Sequence, residues 1–350
     1  MIRIDRLLLV FIFLGGALNP SALGFSFAGQ LKTGSEIARD ESFVIVRLGV
    51  GQSVEDIAQR YLGARNQAWQ IYDLNGYPSA NNSSHAGRNS DVTTGSLLAV
   101  PLKPVNPSGV FADGYRAIPI LCYHQFSLGA KTSHQLAVAA QVFEEQLAYL
   151  AHNGFQVIPL AELDAILSRK LPVPKKTVVL TIDDGYRSIY TIAYPLLKKY
   201  NFPATIFLYT DFVGGAAALS WQQLQEMQNS GLIDVQSHTK THTSLAVTAN
   251  DANQTTYKAR VLNEIQQAEQ MLERHLGTKP RYLSYPYGDS SDYTVGVLKQ
   301  SGYALAMTVE RGPNPAFANP YLLRRTMVYN NHNLDDFKQF AHGYVTKSLP

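Results

Sequence analysis

The segment Val178-Val179-Leu180-Thr181-Ile182-Asp183-Asp184-Gly185 decides the fold of this chain. Its apolar run is typical of a strand that is buried on both faces of a sheet. Two adjacent carboxylates at the end of such a strand are costly to desolvate unless a metal ion or a proton shares the site. Gly185 allows the backbone to turn sharply above the strand end. Taken alone, the segment is either a functional carboxylate pair or an Asp-Asp-Gly turn that caps the next helix.

Composition indicates an ordinary globular protein. A length of 350 residues is enough for one large domain or two unequal ones. The chain is 45% hydrophobic and 16% charged, which is typical of a globular protein with a sizeable core. A formal net charge of +3 is too small to indicate nucleic acid or an anionic membrane surface as a partner. The single cysteine, Cys122, excludes an intrachain disulfide and lies in an apolar run where we expect it to be buried.

Residues 1–28 are predicted to be a secretory signal. Arg3 and Arg6 precede an apolar run from Leu7 to Leu14, which is the layout of such a signal and is short for a membrane-spanning helix. Small residues suited to cleavage stand at Ala22 and Gly24, or at Ser26 and Ala28. We therefore expect an exported protein, periplasmic, in the cell envelope or extracellular, with no stable membrane span after cleavage.

Residues 43–102 are predicted to form a first, small domain with the order strand, helix, helix, strand. Ser53 can cap the first helix, which should end near Gly63. A second helix carries Trp69 and stops at Asn75-Gly76, and residues 97–101 supply the closing strand.

This order resembles a LysM module, a small binder of glycans that contain N-acetylglucosamine. The likeness is carried by Gly51-Gln52-Ser53, Ile57-Ala58, Tyr61-Leu62-Gly63, Leu74-Asn75 and Leu98-Ala99-Val100-Pro101. Gln52 replaces the Asp of many members, and the loop Tyr77–Asp91 is long. The resemblance implies a glycan-binding α+β domain, and a degenerate spacer domain is the alternative.

Residues 103–116 have the composition of a linker, and residues 117–345 are predicted to alternate strands and helices. The predicted strands are Ile118–Tyr123, Phe155–Ile158, Val178–Asp183, Ala204–Tyr209, Ile233–Ser237, Tyr282–Tyr285 and Tyr303–Thr308. Intervening helices indicate parallel βαβ units, and about seven strands favour a closed barrel over an open sheet. In either arrangement the functional site lies at the carboxyl ends of the strands, where Asp183 and Asp184 stand.

Two further clusters follow predicted strands. Ser237-His238-Thr239-Lys240-Thr241-His242 carries two histidines four residues apart, and with Asp184 they make a ligand set that leaves positions for water and substrate. Alone, such a histidine pair is more often a surface coincidence. Tyr285-Pro286-Tyr287-Gly288 is either only a turn or a device that aims the Tyr287 amide at a developing oxyanion.

Together the three clusters resemble the polysaccharide deacetylases of the NodB homology group, carbohydrate esterase family 4. Thr181–Gly185 matches the family's Thr-Phe-Asp-Asp-Gly with Ile182 in place of Phe, and His238–His242 matches its His-Ser/Thr-x-x-His. The likeness runs from about Ile118 to Val328. It implies an α/β fold of the NodB type, a distorted (β/α) barrel, and a metal-dependent hydrolase.

The resemblance also implies roles for particular residues. Asp183 would be the general base, and Asp184, His238 and His242 would hold the metal. Thr239 would support the histidine loop, while Pro286 and Tyr287 would contact substrate and the Tyr287 amide would stabilise the oxyanion. Zinc suits two histidines and a carboxylate best, and cobalt or nickel fit the same ligands.

The chain departs from the family pattern at two positions. Ser284 stands where the family often has an arginine that orients the base, and Arg325 could supply that guanidinium from another strand. The late Leu-x-His acid motif is missing. The opening Pro119–His124 looks like the first strand of the subgroup that acts on biofilm poly-N-acetylglucosamine, so His124 is the preferred general acid and His332 the second candidate. Either histidine could instead be satisfied by a structural hydrogen bond.

These observations predict an exported N-deacetylase of polysaccharide containing N-acetylglucosamine, with peptidoglycan, chitin oligomers and biofilm polymer as open substrates. An esterase that removes O-acetyl groups from xylan or another glycan would use the same site. A non-catalytic cell-wall binding protein is the alternative from another functional class. The presence of Asp183 beside Asp184, His238 and His242 argues against it, because a site that has lost its activity does not need a base beside its ligands.

Overall fold

The computed structural model describes residues 35–77, 92–103, 106–111, 113–129 and 134–346. The predicted secretory signal and nearly all of the long loop 77–91 lie outside the described residues. The described residues divide into two compact units, one that ends at Lys103 and one that begins after it.

The first unit is a three-stranded antiparallel sheet with β2 in the centre and two helices. Its elements are β1 (Ser35–Arg39), β2 (Phe43–Arg47), α1 (Val54–Leu62), α2 (Ala68–Asn75) and β3 (Leu97–Pro101). Ser53 caps α1 in a reciprocal capping box, and Gly63 ends the helix in the left-handed conformation. The predicted order of strand, helix, helix, strand is present, with β1 added at the edge.

The second unit alternates strands and helices. Its elements are β4 (Val110–Phe111), β5 (Gly114–Ile118), β6 (Ile120–Tyr123), β7 (Gln125–Ser127), β8 (Ala137–Ala139), α3 (Ala140–His152), β9 (Gln156–Val157), α4 (Leu160–Leu167), β10 (Thr177–Asp184), α5 (Tyr194–Tyr200), β11 (Ala204–Leu208), α6 (Trp221–Asn229), β12 (Ile233–Ser237), α7 (Gln254–Leu276), β13 (Tyr282–Ser284), α8 (Asp292–Ser301), β14 (Leu305–Met307), β15 (Asn314–Pro315), β16 (Thr326–Met327), α9 (Leu334–Phe340) and β17 (Tyr344–Thr346).

The main sheet of this unit is parallel and curls into a ring. Its strand order is β14-β13-β12-β11-β10-β6-β16, with β9 also paired to β10. The segment that leads into β16 returns to β14, because Leu323 forms a parallel bridge with Met307 and the Thr308 amide donates to the Leu323 carbonyl at 2.8 Å. The predicted distorted (β/α) barrel is confirmed, and β10, β11, β12 and β13 end side by side at one rim.

Two short segments differ from the predicted organisation. Pro119 divides the predicted strand Ile118–Tyr123 into the end of β5 and the whole of β6. Residues assigned to a linker form β4 and the start of β5, which pairs with β17.

Among the described residues, no helix combines the length and the apolar character that a membrane span requires.

Candidate active site

The end of β10 brings two buried carboxylates to the rim. Asp183 and Asp184 are 2% and 8% exposed, and Asp184 already has a positive φ of 74°. Gly185 continues the turn at φ 98°, and a Cβ there would lie 2.3 Å from Leu208 of the neighbouring strand. The turn therefore requires glycine, and it separates the two carboxylates into different surroundings.

Asp183 is paired with Arg325. The guanidinium donates to both carboxylate oxygens at 2.7 Å, and Arg325 itself is completely buried. Ser284 donates to Asp183 at 3.0 Å and accepts from Arg325 at 2.7 Å. Burial alone would raise the pKa of Asp183, but the charge and the hydrogen bonds of Arg325 outweigh it and hold that pKa below its ordinary value. Asp183 is therefore ionised at neutral pH.

Asp184, His238 and His242 converge beside this pair. Their ligand atoms all lie within 4.8 Å of one another. The Nε2 atoms of His238 and His242 are 3.7 Å and 3.4 Å from the same Asp184 oxygen. The geometry brings together the three residues that the family resemblance named as ligands.

The second ring nitrogen of each histidine is already engaged. Nδ1 of His238 is 2.7 Å from the Ser284 carbonyl, which can only accept, so Nδ1 carries the proton and Nε2 keeps its lone pair. Nδ1 of His242 is 3.3 Å from the Tyr287 hydroxyl. Anchoring one imidazole nitrogen orients both rings, and for His238 it also fixes the tautomer that a metal needs. The donor set therefore fits a divalent cation.

Burial sets the protonation of these groups. It lowers the pKa of His238 to about 3 and also lowers the pKa of His242, so both rings are neutral at pH 7. Burial, followed by the negative charge of Asp183, raises the pKa of Asp184 to about 7. Neutral imidazoles are the form that binds a cation, and a bound cation would favour the ionised form of Asp184.

The loop between the histidines is supported differently from the expectation. The Thr239 hydroxyl is buried and has no hydrogen-bond partner among the residues that the structure describes, so none of the described contacts shows its side chain bracing the loop. Instead Glu264 of α7, a residue that the sequence analysis missed, accepts from the amides of Lys240 and Thr241 at 3.1 Å and 2.8 Å. The available signal was that Glu264 lies on the predicted apolar face of its helix, three residues after Val261.

Pro286 and Tyr287 lie at the rim beside His242. Pro286 is buried, whereas Tyr287 is 64% exposed and has a positive φ of 61°. The Tyr287 ring packs edge-on against the His242 ring, with 4.8 Å between centroids. Gly288 is closely packed against Val309, which fixes the turn that presents Tyr287.

The two candidate acids occupy different surroundings. A His124 ring nitrogen lies within 4.8 Å of an Asp183 carboxylate oxygen, and its buried Nδ1 has no hydrogen-bond partner among the described residues. Burial lowers the pKa of His124 to about 4, although Asp183 opposes this. His332 accepts from the Tyr329 amide at 3.1 Å and packs on Phe340. None of its described contacts is with a site residue.

Comparisons with known proteins agree with this geometry. A family model described as polysaccharide deacetylase matches residues 170–306. YxkH of Bacillus subtilis, whose name assigns it to the polysaccharide deacetylases, is 30% identical over 211 residues, which are 60% of this chain and 71% of that protein. The poly-beta-1,6-N-acetyl-D-glucosamine N-deacetylase of Escherichia coli K12 is 27% identical over 264 residues, 65% of this chain and only 38% of that protein.

A solved structure extends the likeness to three dimensions. The Streptococcus pyogenes deacetylase PplD, in complex with acetate, superposes with a TM-score of 0.58 at 27% identity. The match covers 64% of this chain and 98% of that one.

Proposed function

Because this chain belongs to the polysaccharide deacetylase family, we propose that it is a metal-dependent hydrolase that removes N-acetyl groups from a polymer of N-acetylglucosamine. The observation that carries the proposal is the pairing of two unlike groups at one rim. An ionised carboxylate held by Arg325 stands beside two neutral histidines and a second carboxylate, Asp184, which has no lysine or arginine partner in the part of the chain that the structure describes. A base next to a cation site is what hydrolysis of an unreactive amide requires.

The proposed roles follow from the contacts. Asp184, His238 and His242 would hold the cation, for which zinc suits the ligands and cobalt or nickel also fit. When bound, such a cation polarises a carbonyl and lowers the pKa of water. Asp183, which Arg325 keeps ionised and oriented, would take a proton from that water. The backbone amide of Tyr287 would face the oxyanion, and Pro286 and Tyr287 would line the substrate.

His124 is the proposed acid for the leaving amine. Its position near Asp183 supports this role. The second candidate, His332, packs against Tyr329 and Phe340, which are not site residues, so its contacts do not support the acid role. Because burial leaves His124 neutral at pH 7, it can donate a proton only after it has received one. Asp183 lies near enough to pass on the proton that it would take from water, and His124 would then give that proton to the leaving amine.

The substrate class is argued from the relative of Escherichia coli, which is named for poly-beta-1,6-N-acetyl-D-glucosamine. We propose the same class of polymer here, and export through the predicted signal at residues 1–28. N-terminal sequencing of the secreted protein would test that cleavage. A first unit that resembles a LysM module would hold the enzyme on its glycan, which co-sedimentation of the full chain with insoluble glycan would test.

The decisive experiment measures acetate released from N-acetylglucosamine oligomers by three proteins: metal-loaded, chelated, and metal-loaded Asp183→Asn. We expect acetate only from the first, with the variant reduced by at least about 10²-fold because the base is lost. Bound metal without acetate would point to an O-acetyl or other glycan substrate. Absence of both metal and acetate would leave a binding protein and overturn the proposal.

A further inference from the structure

Glu264 connects helix α7 to the loop that carries the second histidine. One carboxylate oxygen accepts from the amides of Lys240 and Thr241, and the other accepts from the Thr241 hydroxyl at 2.7 Å. Glu264 is only 4% exposed. Burial of a carboxylate is costly unless it accepts hydrogen bonds, and all the described hydrogen bonds of Glu264 come from this one loop. The loop and the carboxylate therefore stabilise each other.

The loop adopts a conformation that its sequence does not favour. Thr239 and His242 have positive φ values of 71° and 63°, although neither is glycine. Such conformations persist only where the surroundings impose them. The amides of Thr210 and Asp211 donate to the carbonyls of Thr239 and Lys240 at 3.2 Å and 3.0 Å. The loop backbone is therefore held by two segments, one that accepts from its amides and one that donates to its carbonyls.

The two histidines depend on this support to different degrees. His238 directly follows strand β12, and its Nδ1 is fixed by the Ser284 carbonyl. His242 lies at the far end of the loop, after the two residues whose amides donate hydrogen bonds to Glu264. Its only described ring hydrogen bond is the long one with the Tyr287 hydroxyl. A shift of the loop would therefore displace His242 and leave His238 in place.

We propose that Glu264 is a positioning residue that sets the 239–242 loop and thereby places His242 for the cation. This inference rests on the proposed function, since it concerns the same metal site. Glu264 itself is not a ligand, because its oxygens are occupied by the loop. Its removal takes away the acceptor of the part-buried hydrogen bonds from the Lys240 and Thr241 amides, and the loop then relaxes from its strained backbone.

The first test compares zinc affinity by chelator competition in the full chain. Glu264→Leu should bind zinc about 10–100-fold more weakly, as loss of outer supporting hydrogen bonds typically does. Glu264→Gln should stay near the wild type, because its amide oxygen can accept both loop amides and its NH₂ can donate to the Thr241 hydroxyl. Glu269→Leu is the matched control on the same helix, where Glu269 pairs with Lys279 at 2.5 Å and has no described contact with the loop.

The second test does not need metal. In metal-free protein, hydrogen exchange of the Lys240 and Thr241 amides should be faster by about 10-fold or more in Glu264→Leu and unchanged in Glu269→Leu. Equal exchange in both variants would overturn the inference even if the enzyme is active. If the wild type binds no zinc, the metal part of the proposed function fails, while the exchange result still decides the role of Glu264.

Activity separates positioning from general stability. The acetate release of Glu264→Leu should recover when zinc is added in excess, whereas a protein that is merely unfolded would not recover. Should Glu264→Leu fail to fold, Glu264→Asp retains the charge and shortens the reach by one methylene, so it should show the same loss of zinc affinity. Wild-type affinity and exchange in Glu264→Asp would contradict the proposal.

Discussion

The two sides of the active site balance their charges in opposite ways. On one side Asp183, Arg325 and Ser284 come from strand ends or their immediate neighbours, and the protein supplies its own cation in a fully buried pair. On the other side Asp184, His238 and His242 include two residues with positive φ, and no protein cation forms an ion pair with Asp184 among the described residues. The first side has its counter-charge within the fold, whereas the second side has the geometry of a set that could hold a cation.

The adjacent aspartates show what this difference does. Arg325 holds the pKa of Asp183 below its ordinary value despite burial, while burial and the charge of Asp183 raise the pKa of Asp184 to about 7. Two identical side chains, one residue apart, therefore ionise in different pH ranges. Such separation supports the proposed division of tasks, with Asp183 as base and Asp184 as ligand.

Removal of the internal cation should have the largest effect. Arg325→Met leaves Asp183 buried without its partner, so we expect a loss of about 3–5 kcal/mol in the free energy of unfolding, together with loss of acetate release. The deficit should be largest above the ordinary pKa of aspartate and shrink at low pH, where the unpaired Asp183 takes up a proton. Urea unfolding at several pH values measures it.

The control for this change is Arg281→Met. Arg281 pairs with Asp164 at 3.1 Å, but its side chain is 60% exposed, so the loss should be below about 1 kcal/mol. Equal losses of unfolding free energy in the two variants would show that the buried Arg325–Asp183 pair stabilises the fold no more than the exposed Arg281–Asp164 pair.

Loss of the proposed acid should affect activity without affecting zinc affinity. His124→Gln should lower acetate release by about 10²–10⁴-fold, the usual contribution of a positioned acid. His332→Gln should leave the rate within about twofold, since none of the described contacts of His332 is with a site residue. The reverse order of the two variants would transfer the acid role to His332.

Loss of the bridging hydroxyl should have the smallest effect. Ser284→Ala removes one donor to Asp183 and one acceptor for Arg325 while the direct ion pair remains, so we expect a loss of about 1.5–3 kcal/mol in stability. Ser168→Ala, at an exposed hydroxyl, should stay within about 0.5 kcal/mol. Unfolding midpoints that do not differ between the two variants would show that Asp183 is positioned by Arg325 alone.

Much of the barrel and of the site could be predicted from the sequence, because apolar runs followed by charged residues mark strand ends. The bounds of β12 coincide with the predicted Ile233–Ser237, and Asp183, Asp184, His238 and His242 meet as the motifs implied. These elements are long or have a distinctive composition. Their register then follows from burial of the apolar residues.

The remaining elements depend on contacts that a local pattern does not show. β16 has only two residues and forms by pairing with β6, so the sequence contains no apolar run that would predict it. Arg324 and Arg325 are neighbours, yet the first pairs with Glu310 in solvent and the second is buried against Asp183. Glu264 interrupts the apolar face of α7, and only the loop above the helix explains why a carboxylate lies there.

Arg325 is separated from Asp183 by 142 residues of chain and lies next to the strand that completes the ring. A partly synthesised chain that already contains Asp184, His238 and His242 therefore still lacks the counter-ion of Asp183. Burial of Asp183 without that counter-ion is costly, so we expect the barrel to gain stability only when Arg325 joins it. The late arginine thus ties the ionised state of Asp183 to the segment that closes the ring.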